Sequence, residues 1–259
     1  MSKIEALIED RSQAGLFLDF DGTLSEIAHR PADARPVEDA PEALAELANH
    51  FGLVAIVSGR SAHQLVDWLG TEIEIWGVHG AERTVDGSVV LSDAARPFEE
   101  LMRVVHTEAL ERVAALDDSG VVVEDKAVMI GLHFRAAENV ERARDQLDRI
   151  ATDLADRHGL HRAGGRLAFE LRPPHEFSKA AVVLDRTREQ GLTAAAFVGD
   201  DRVDLPGFDA LDVLGEKNGI ATLKVAVRSD EAPPELLERA DVVVNGPAEV
   251  VRFLRSLLP

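Results

Sequence analysis

The sequence predicts an α/β protein: a parallel-sheet core made from both ends of the chain, with an α+β module inserted between them. Three observations carry this. Short apolar runs recur, each stopping at a polar or acidic cluster and separated from the next by a helical stretch, the pattern of strands buried on both faces of a parallel sheet. The middle of the chain breaks that pattern with longer amphipathic helices. A length of 259 residues, 46% hydrophobic and 29% charged, is enough to bury a core of this kind.

Taken in order, residues 14–20 form the first apolar run and lead into Asp21-Gly22-Thr23. A helix over 41–50 precedes a strand over 53–57, which ends at Ser58-Gly59-Arg60. A helix over 61–69 precedes a strand over 73–78, which ends at His79-Gly80. Asp86-Gly87, between 83–85 and 88–91, is a two-residue hairpin signal. The middle holds helices over 98–116 and 138–158; in the second, Val140, Ala143, Leu147, Ile150 and Leu154 recur at steps of three or four. Between them, residues 120–135 read as two strands around a turn at Glu124-Asp125-Lys126, and 166–171 as a further strand. The core resumes with a strand over 194–198 ending at Gly199-Asp200-Asp201, strands over 223–227 and 241–244, and helices over 234–239 and 248–258. The expected division is 1–92 with 174–259 for the core and 93–173 for the inserted module, the second boundary marked by Arg172-Pro173-Pro174.

Composition narrows the function classes. There is no cysteine, so neither a disulfide framework nor a thiolate metal site is expected. Lys+Arg 28 against Asp+Glu 47 leaves a formal net charge of −19, which repels nucleic acid and anionic membranes. The first ten residues lack the basic flank and apolar run of a signal peptide, and no stretch approaches a bilayer-spanning length, so a cytoplasmic protein is expected.

Ligands of an open parallel sheet bind beyond the carboxyl ends of its strands. That rule brings Asp19, Asp21, Ser58, His79, Asp200 and Asp201 to one edge, with Asp204 one turn further on. Five crowded carboxylates raise one another's pKa, and a hard dication relieves them; an all-oxygen donor set favours Mg²⁺. The cation would also admit a phosphate dianion, whose other oxygens Ser58 and Lys179 could hold. A carboxylate such as Asp19 can attack phosphorus to form an aspartyl phosphate, and Asp21 is placed to protonate the leaving alkoxide and then deprotonate water. Plainer readings stand beside these: Asp-x-Asp-Gly as a strand-to-loop turn, Ser58 as a helix cap, Arg60 as a helix-start surface residue, His79 as a histidine near the core, Lys179 as a solvated helix residue. Trp68 and Trp76 read as packing residues.

Asp19-Phe20-Asp21-Gly22-Thr23, Ser58, Lys179 and Gly199-Asp200-Asp201, in that order, resemble the four motifs of the haloacid dehalogenase (HAD) superfamily of phosphatases. The resemblance implies a HAD-like Rossmannoid core with an inserted α+β cap domain. It implies Asp19 as nucleophile, Asp21 as general acid and base, and Ser58, with its neighbour Gly59, and Lys179 as phosphate ligands. It also implies Mg²⁺ held by Asp19, the Asp21 backbone carbonyl and Asp200. Asp201 and Asp204 would orient the metal ligand. Ser58-Gly59-Arg60, His79-Gly80, Glu124-Asp125-Lys126, His133-Phe134-Arg135, Glu170-Leu171-Arg172-Pro173 and Gly199-Asp200-Asp201-Arg202-Val203-Asp204 look like the trehalose-6-phosphate phosphatases within that superfamily. That likeness implies sugar contacts at Glu124, Lys126 and Glu170; substrate contacts at Arg60 and His79, a small sugar phosphate as partner and a monomer are separate expectations. In this chain Val203 stands where the subfamily has Thr, and Leu205-Pro206-Gly207 follows Asp204. Phosphatases for other sugar phosphates (sucrose 6-phosphate, mannosyl-3-phosphoglycerate) share the core motifs. A non-catalytic sugar-phosphate sensor is the reading from another class.

Overall fold

The computed structural model describes residues 2–28, 33–116, 120–165, 167–229 and 232–259. In chain order it opens with α1 (Lys3–Glu9), β1 (Ala14–Leu18), α2 (Ala40–Ala48), β2 (Leu53–Val57), α3 (Ala62–Leu69), β3 (Glu74–Gly77), β4 (Glu82–Val85) and β5 (Ser88–Leu91). Then come α4 (Glu99–Ala114), β6 (Val122–Asp125), β7 (Ile130–His133), α5 (Val140–His158), β8 (His161–Gly165) and β9 (Ala168–Arg172). The chain finishes with α6 (Lys179–Glu189), β10 (Ala194–Gly199), α7 (Leu205–Asn218), β11 (Ala221–Arg228), α8 (Pro234–Arg239), β12 (Val242–Asn245) and α9 (Gly246–Arg255). These elements form two compact units, one of residues 1–90 and 177–259, the other of residues 91–176. Among the described residues no helix is long and apolar enough to cross a membrane.

The first unit is built on an eight-stranded sheet in the order β12-β11-β10-β1-β2-β3-β4-β5. Pairing is parallel from β12 to β3 and turns antiparallel at β4. Every residue of β1, β2 and β10 is buried. Alternate side chains serve two layers, as period two requires: Leu16, Leu18, Val54, Ile56 and Val198 join one apolar cluster. Phe17, Ala55, Val57 and Phe197 join the other. The chain leaves β1 for β2 on one side and pairs it with β10 on the other, which opens a crevice at the carboxyl ends of these three strands. The hairpin signal at Asp86-Gly87 is realised with both residues at positive φ (49° and 75°), as a primed turn demands.

Two helices of this unit carry local signals of their own. In α1, the Ser2 hydroxyl accepts from the Glu5 N–H at 3.1 Å and the Glu5 carboxylate accepts from the Ser2 N–H at 2.7 Å, a capping box in a segment noted above only for lacking the marks of a signal peptide. In α7, Pro206 falls in the first turn, where no intrahelical N–H bond is due, so Leu205-Pro206-Gly207 starts a helix instead of breaking one.

The second unit is a four-stranded antiparallel sheet, β6-β7-β9-β8, packed with α4 and α5. Helix α4 buries Met102, Val105 and Ala109. Helix α5 buries Ala143, Leu147, Ile150 and Leu154 of the apolar stripe, whereas Val140, in its first turn, is exposed. Two expectations need correcting. The turn does not fall at Glu124-Asp125-Lys126: Glu124 and Asp125 are paired strand residues, and Lys126 and Met129 close the hairpin by mutual backbone bonds of 2.9 and 3.1 Å. The last strand starts at Ala168, and β8 precedes it as an unanticipated partner; its sequence His-Arg-Ala-Gly-Gly offers no apolar alternation to reveal a strand. Arg166, expected to begin that strand, lies outside the described residues.

Candidate active site

Residues just past four strand ends, those of β1, β2, β3 and β10, meet Lys179 in a pocket of about 220 Å³ whose walls include Asp19, Asp21, Ser58, His79 and Asp200. Gly59 and Asp201 line it too, with Ile27 and Val203 as half-exposed aliphatic members of the wall. Asp19 follows β1 and is anchored by its N–H to the Val198 carbonyl at 2.9 Å. Asp200 follows β10, and both aspartates are buried.

Lys179, at the start of α6, binds the two sides together. Its Nζ lies 2.7 Å from Asp19 Oδ1 and 2.6 Å from Asp204 Oδ1, and the side chain is only 2% exposed. The other oxygen of Asp204 accepts from the Asp200 and Asp201 N–H groups at 2.9 and 3.1 Å. Asp201 in turn caps the 3₁₀ turn Arg202–Asp204. Asp204 is therefore occupied on both oxygens, as an orienting residue would be.

The electrostatics follow from burial. Burial pushes Asp200 up to about 8, helped by the charges of Asp19, Asp204 and Asp201 and opposed by Lys179. Burial and then Asp204 push Asp19 up to about 7 in spite of its contact with Lys179. For Lys179 burial acts downward, but Asp19 and Asp204 outweigh it and hold the ammonium above its ordinary value.

The donor set fits a hard dication. Carboxylate oxygens of Asp19, Asp200 and Asp204 lie within 4.8 Å of one another, and with Asp204 engaged by Lys179 and two backbone N–H groups, Asp19 and Asp200 are the ones placed to face a cation. Asp200 Oδ1 is buried with no hydrogen-bond partner, which is costly for an ionised oxygen unless a cation answers it. Gly22 keeps the space open: its φ of +73° and the 1.9 Å that would separate a Cβ from Asp200 Oδ2 leave no room for another residue.

Asp21 points its carboxylate to Arg60, which donates from Nε and Nη2 at 2.7 Å each. Ser58 is buried; its N–H donates to the Trp76 carbonyl, its carbonyl accepts from the His79 N–H, and its Oγ accepts from the Arg60 N–H at 3.2 Å. His79 and its neighbour Val78 both sit at positive φ (57° and 49°), unusual for non-glycine residues and most of all for a β-branched one. The His79 ring lies over Gly59, where a Cβ would stand 2.9 Å from it. Sequence reasoning overlooks Phe20 and Trp68 as site residues; their stacked rings, 5.3 Å apart, both lie under the Arg60 guanidinium. The spacing of Trp68, eight residues after Arg60 on α3, is a signal that could have placed it nearby.

Glu124, Lys126 and Glu170 gather on the second unit. Strand register puts Glu124, His133 and Glu170 on one face of its sheet. Lys126 Nζ lies 3.3 Å from a carboxylate oxygen of each glutamate, and His133 Nε2 lies 2.8 Å from Glu124 Oε2. The His133 hydrogen bond holds Glu124 below its ordinary value. Burial works against the Glu170 carboxylate, but Arg172 and Lys126 more than offset it and hold Glu170 low as well.

A family model described as Trehalose-phosphatase matches residues 17–236. The chain is 35% identical over 214 residues to a trehalose-phosphate phosphatase of Mycobacterium leprae, covering 77% of this chain and 48% of that protein. It thus spans about half the length of this relative and 60% of the Mycobacterium marinum trehalose-phosphate phosphatase. Among solved structures, a trehalose-6-phosphate phosphatase related protein superposes with a TM-score of 0.72 at 22% identity, covering 94% of this chain and 96% of that one. The C-terminal domain of a Candida albicans trehalose-6-phosphate phosphatase gives 0.66 at 21%, covering 99% and 96%. The structures share the HAD-like fold, and the extent of the sequence match shows that the chain belongs to the trehalose-phosphatase family.

Proposed function

We propose that this chain is a metal-dependent phosphatase that hydrolyses trehalose 6-phosphate to trehalose and phosphate. The observation that carries the reading is the buried Asp19–Lys179–Asp204 arrangement beside Asp200, with a second carboxylate two residues from Asp19. An oxygen of Asp19 attacks phosphorus and the bond from phosphorus to the sugar oxygen breaks. Asp21, as the carboxylic acid, gives its proton to that oxygen. Asp21, now a carboxylate, takes a proton from water as the water oxygen attacks phosphorus, and the bond to Asp19 breaks. The Ser58 hydroxyl, the Gly59 N–H and the third ammonium proton of Lys179 hold the phosphoryl oxygens. His79 contacts substrate from the wall. Mg²⁺, carried by Asp19, Asp200 and the Asp21 backbone carbonyl, would supply charge neutralisation for the dianion.

The inserted unit supplies sugar recognition. A disaccharide is neutral and covered with hydroxyls, and the face carrying Glu124, Lys126 and Glu170 offers charged acceptors and donors for them. The mycobacterial relatives, named as trehalose-phosphate phosphatases, support the choice of sugar. A sensor has no need of a nucleophile with an adjacent proton donor, so the Asp19–Asp21 pair argues for catalysis.

Phosphate release from trehalose 6-phosphate, sucrose 6-phosphate, mannosyl-3-phosphoglycerate and p-nitrophenyl phosphate, with and without Mg²⁺, tests the reading. The first should lead the other sugar phosphates in kcat/KM by about 100-fold. Glu124→Ala should lower it about tenfold, with little change for the aryl ester. Comparable rates on all sugar phosphates would contradict the choice of trehalose, and no release with any metal would favour the sensor.

A further inference from the structure

We infer that Arg60 is a positioning residue for the proton donor: its guanidinium, seated on an aromatic shelf, grips both oxygens of Asp21 and fixes that carboxyl for proton transfer to the leaving group. The inference rests on the reading of Asp21 as general acid and base.

The grip is bidentate, with two N–H···O bonds of 2.7 Å, the geometry in which a planar fork specifies orientation as well as attraction. Arg60 is itself prearranged. Its guanidinium carbon lies 5.5 Å from the Phe20 ring centre and 5.2 Å from that of Trp68. Its Nη1 donates to Gln64 Oε1, one turn further along, at 3.1 Å. The Arg60 side chain is 10% exposed, whereas that of Asp21 is 41% exposed. An exposed short carboxylate samples several rotamers unless something holds it, and among the described residues Arg60 is the side chain that does. The same residue ties this carboxylate to the phosphate subsite, because its backbone N–H donates to Ser58 Oγ. Phe20, lying between the two aspartates in sequence, doubles as the shelf.

As observed, both Asp21 oxygens accept from the fork; to reach the ester oxygen one of them must leave it, while the other stays held and keeps the carboxyl in place. Substrate contact by the Arg60 fork would require it to leave Asp21.

A sugar alkoxide needs protonation to depart, and p-nitrophenolate does not, so a group acting through the proton donor affects the two esters unequally. Arg60→Ala should cut kcat on the preferred sugar phosphate about 100-fold, and kcat on p-nitrophenyl phosphate less than about tenfold. KM for the sugar phosphate should stay within about twofold, and Arg60→Lys should recover part of the rate. In an Asp21→Asn background, Arg60→Ala should cost no more than about a further twofold, since the grip has lost its target. Equal losses on both esters, a rise in KM with kcat preserved, or full additivity with Asp21→Asn would overturn the inference. If Asp21→Asn by itself fails to distinguish the esters, the acid assignment of Asp21 fails and the positioning role falls with it, an outcome read from that control alone.

Discussion

Two lysines of this protein each sit between two carboxylates, and they do different jobs. Lys179 is 2% exposed and lies 2.7 and 2.6 Å from Asp19 and Asp204. Lys126 is 24% exposed and lies 3.3 Å from both Glu124 and Glu170. Burial separates them. In the core site water cannot answer the charges, so each group depends on its partners and the carboxylates are pushed up. On the inserted sheet water shares the work and the lysine pairs are longer, while hydrogen bonds from His133 and Arg172 hold the glutamates low. A site that must handle phosphoryl charge gains from fixed, dry partners. On the function proposed, a face that binds hydroxyls would gain from partners that can be exchanged for substrate.

The largest expected break of this contrast is thermodynamic. Lys179→Met leaves Asp19 and Asp204 buried without their cation and should destabilise the protein by about 3–5 kcal/mol. Lys126→Met should cost no more than about 1 kcal/mol, because its partners can turn to water. Denaturant unfolding of the two variants side by side checks this, and equal losses would erase the distinction.

A smaller effect sharpens it through pH. Asp19 and Asp200 have folded values of about 7 and about 8 against an ordinary 3.8, so between these limits the folded chain holds more protons than the unfolded one. Their contribution is fully present below the ordinary value and is lost as pH rises through the folded values. Glu124 and Glu170 have the opposite sign: their contribution is present above the ordinary carboxylate value and is lost as pH falls through their lowered ones. Without metal, Tm should therefore decline from about pH 5 to about pH 8, and Asp200→Asn should flatten that decline. Mg²⁺ should raise Tm more at the higher pH, where the carboxylates it needs are ionised. A flat metal-free profile, or an equal Mg²⁺ shift at both ends, would speak against a crowded buried cluster.

The same contrast explains what can be read without coordinates. β1, β2 and β10 are legible because strands buried on both faces must be apolar throughout, and Asp19, Asp21, Ser58 and Asp200 follow from the rule that ligands gather at the ends of such strands. Lys179 follows only from motif order, since nothing local distinguishes it from a surface lysine. β8 stays hidden because its His-Arg-Ala-Gly-Gly carries no periodic signal. The hairpin turn is misplaced from sequence because charged residues read as a turn, although Glu124 and Asp125 are held by cross-strand pairing. Side-chain partnerships are the least visible of all. That Asp204 spends one oxygen on Lys179 and the other on two backbone N–H groups, and that Arg60 turns to Asp21, depends on tertiary approach between distant segments.

The central claim is that Asp19 receives the phosphoryl group. Acid quenching during the first turnover on trehalose 6-phosphate, followed by peptide mass spectrometry, reads it directly. The account predicts a phosphoryl group on the peptide containing Asp19, located at that residue and absent from Asp19→Asn. Turnover with no label at any point in the time course, or a label on a different residue, would contradict it.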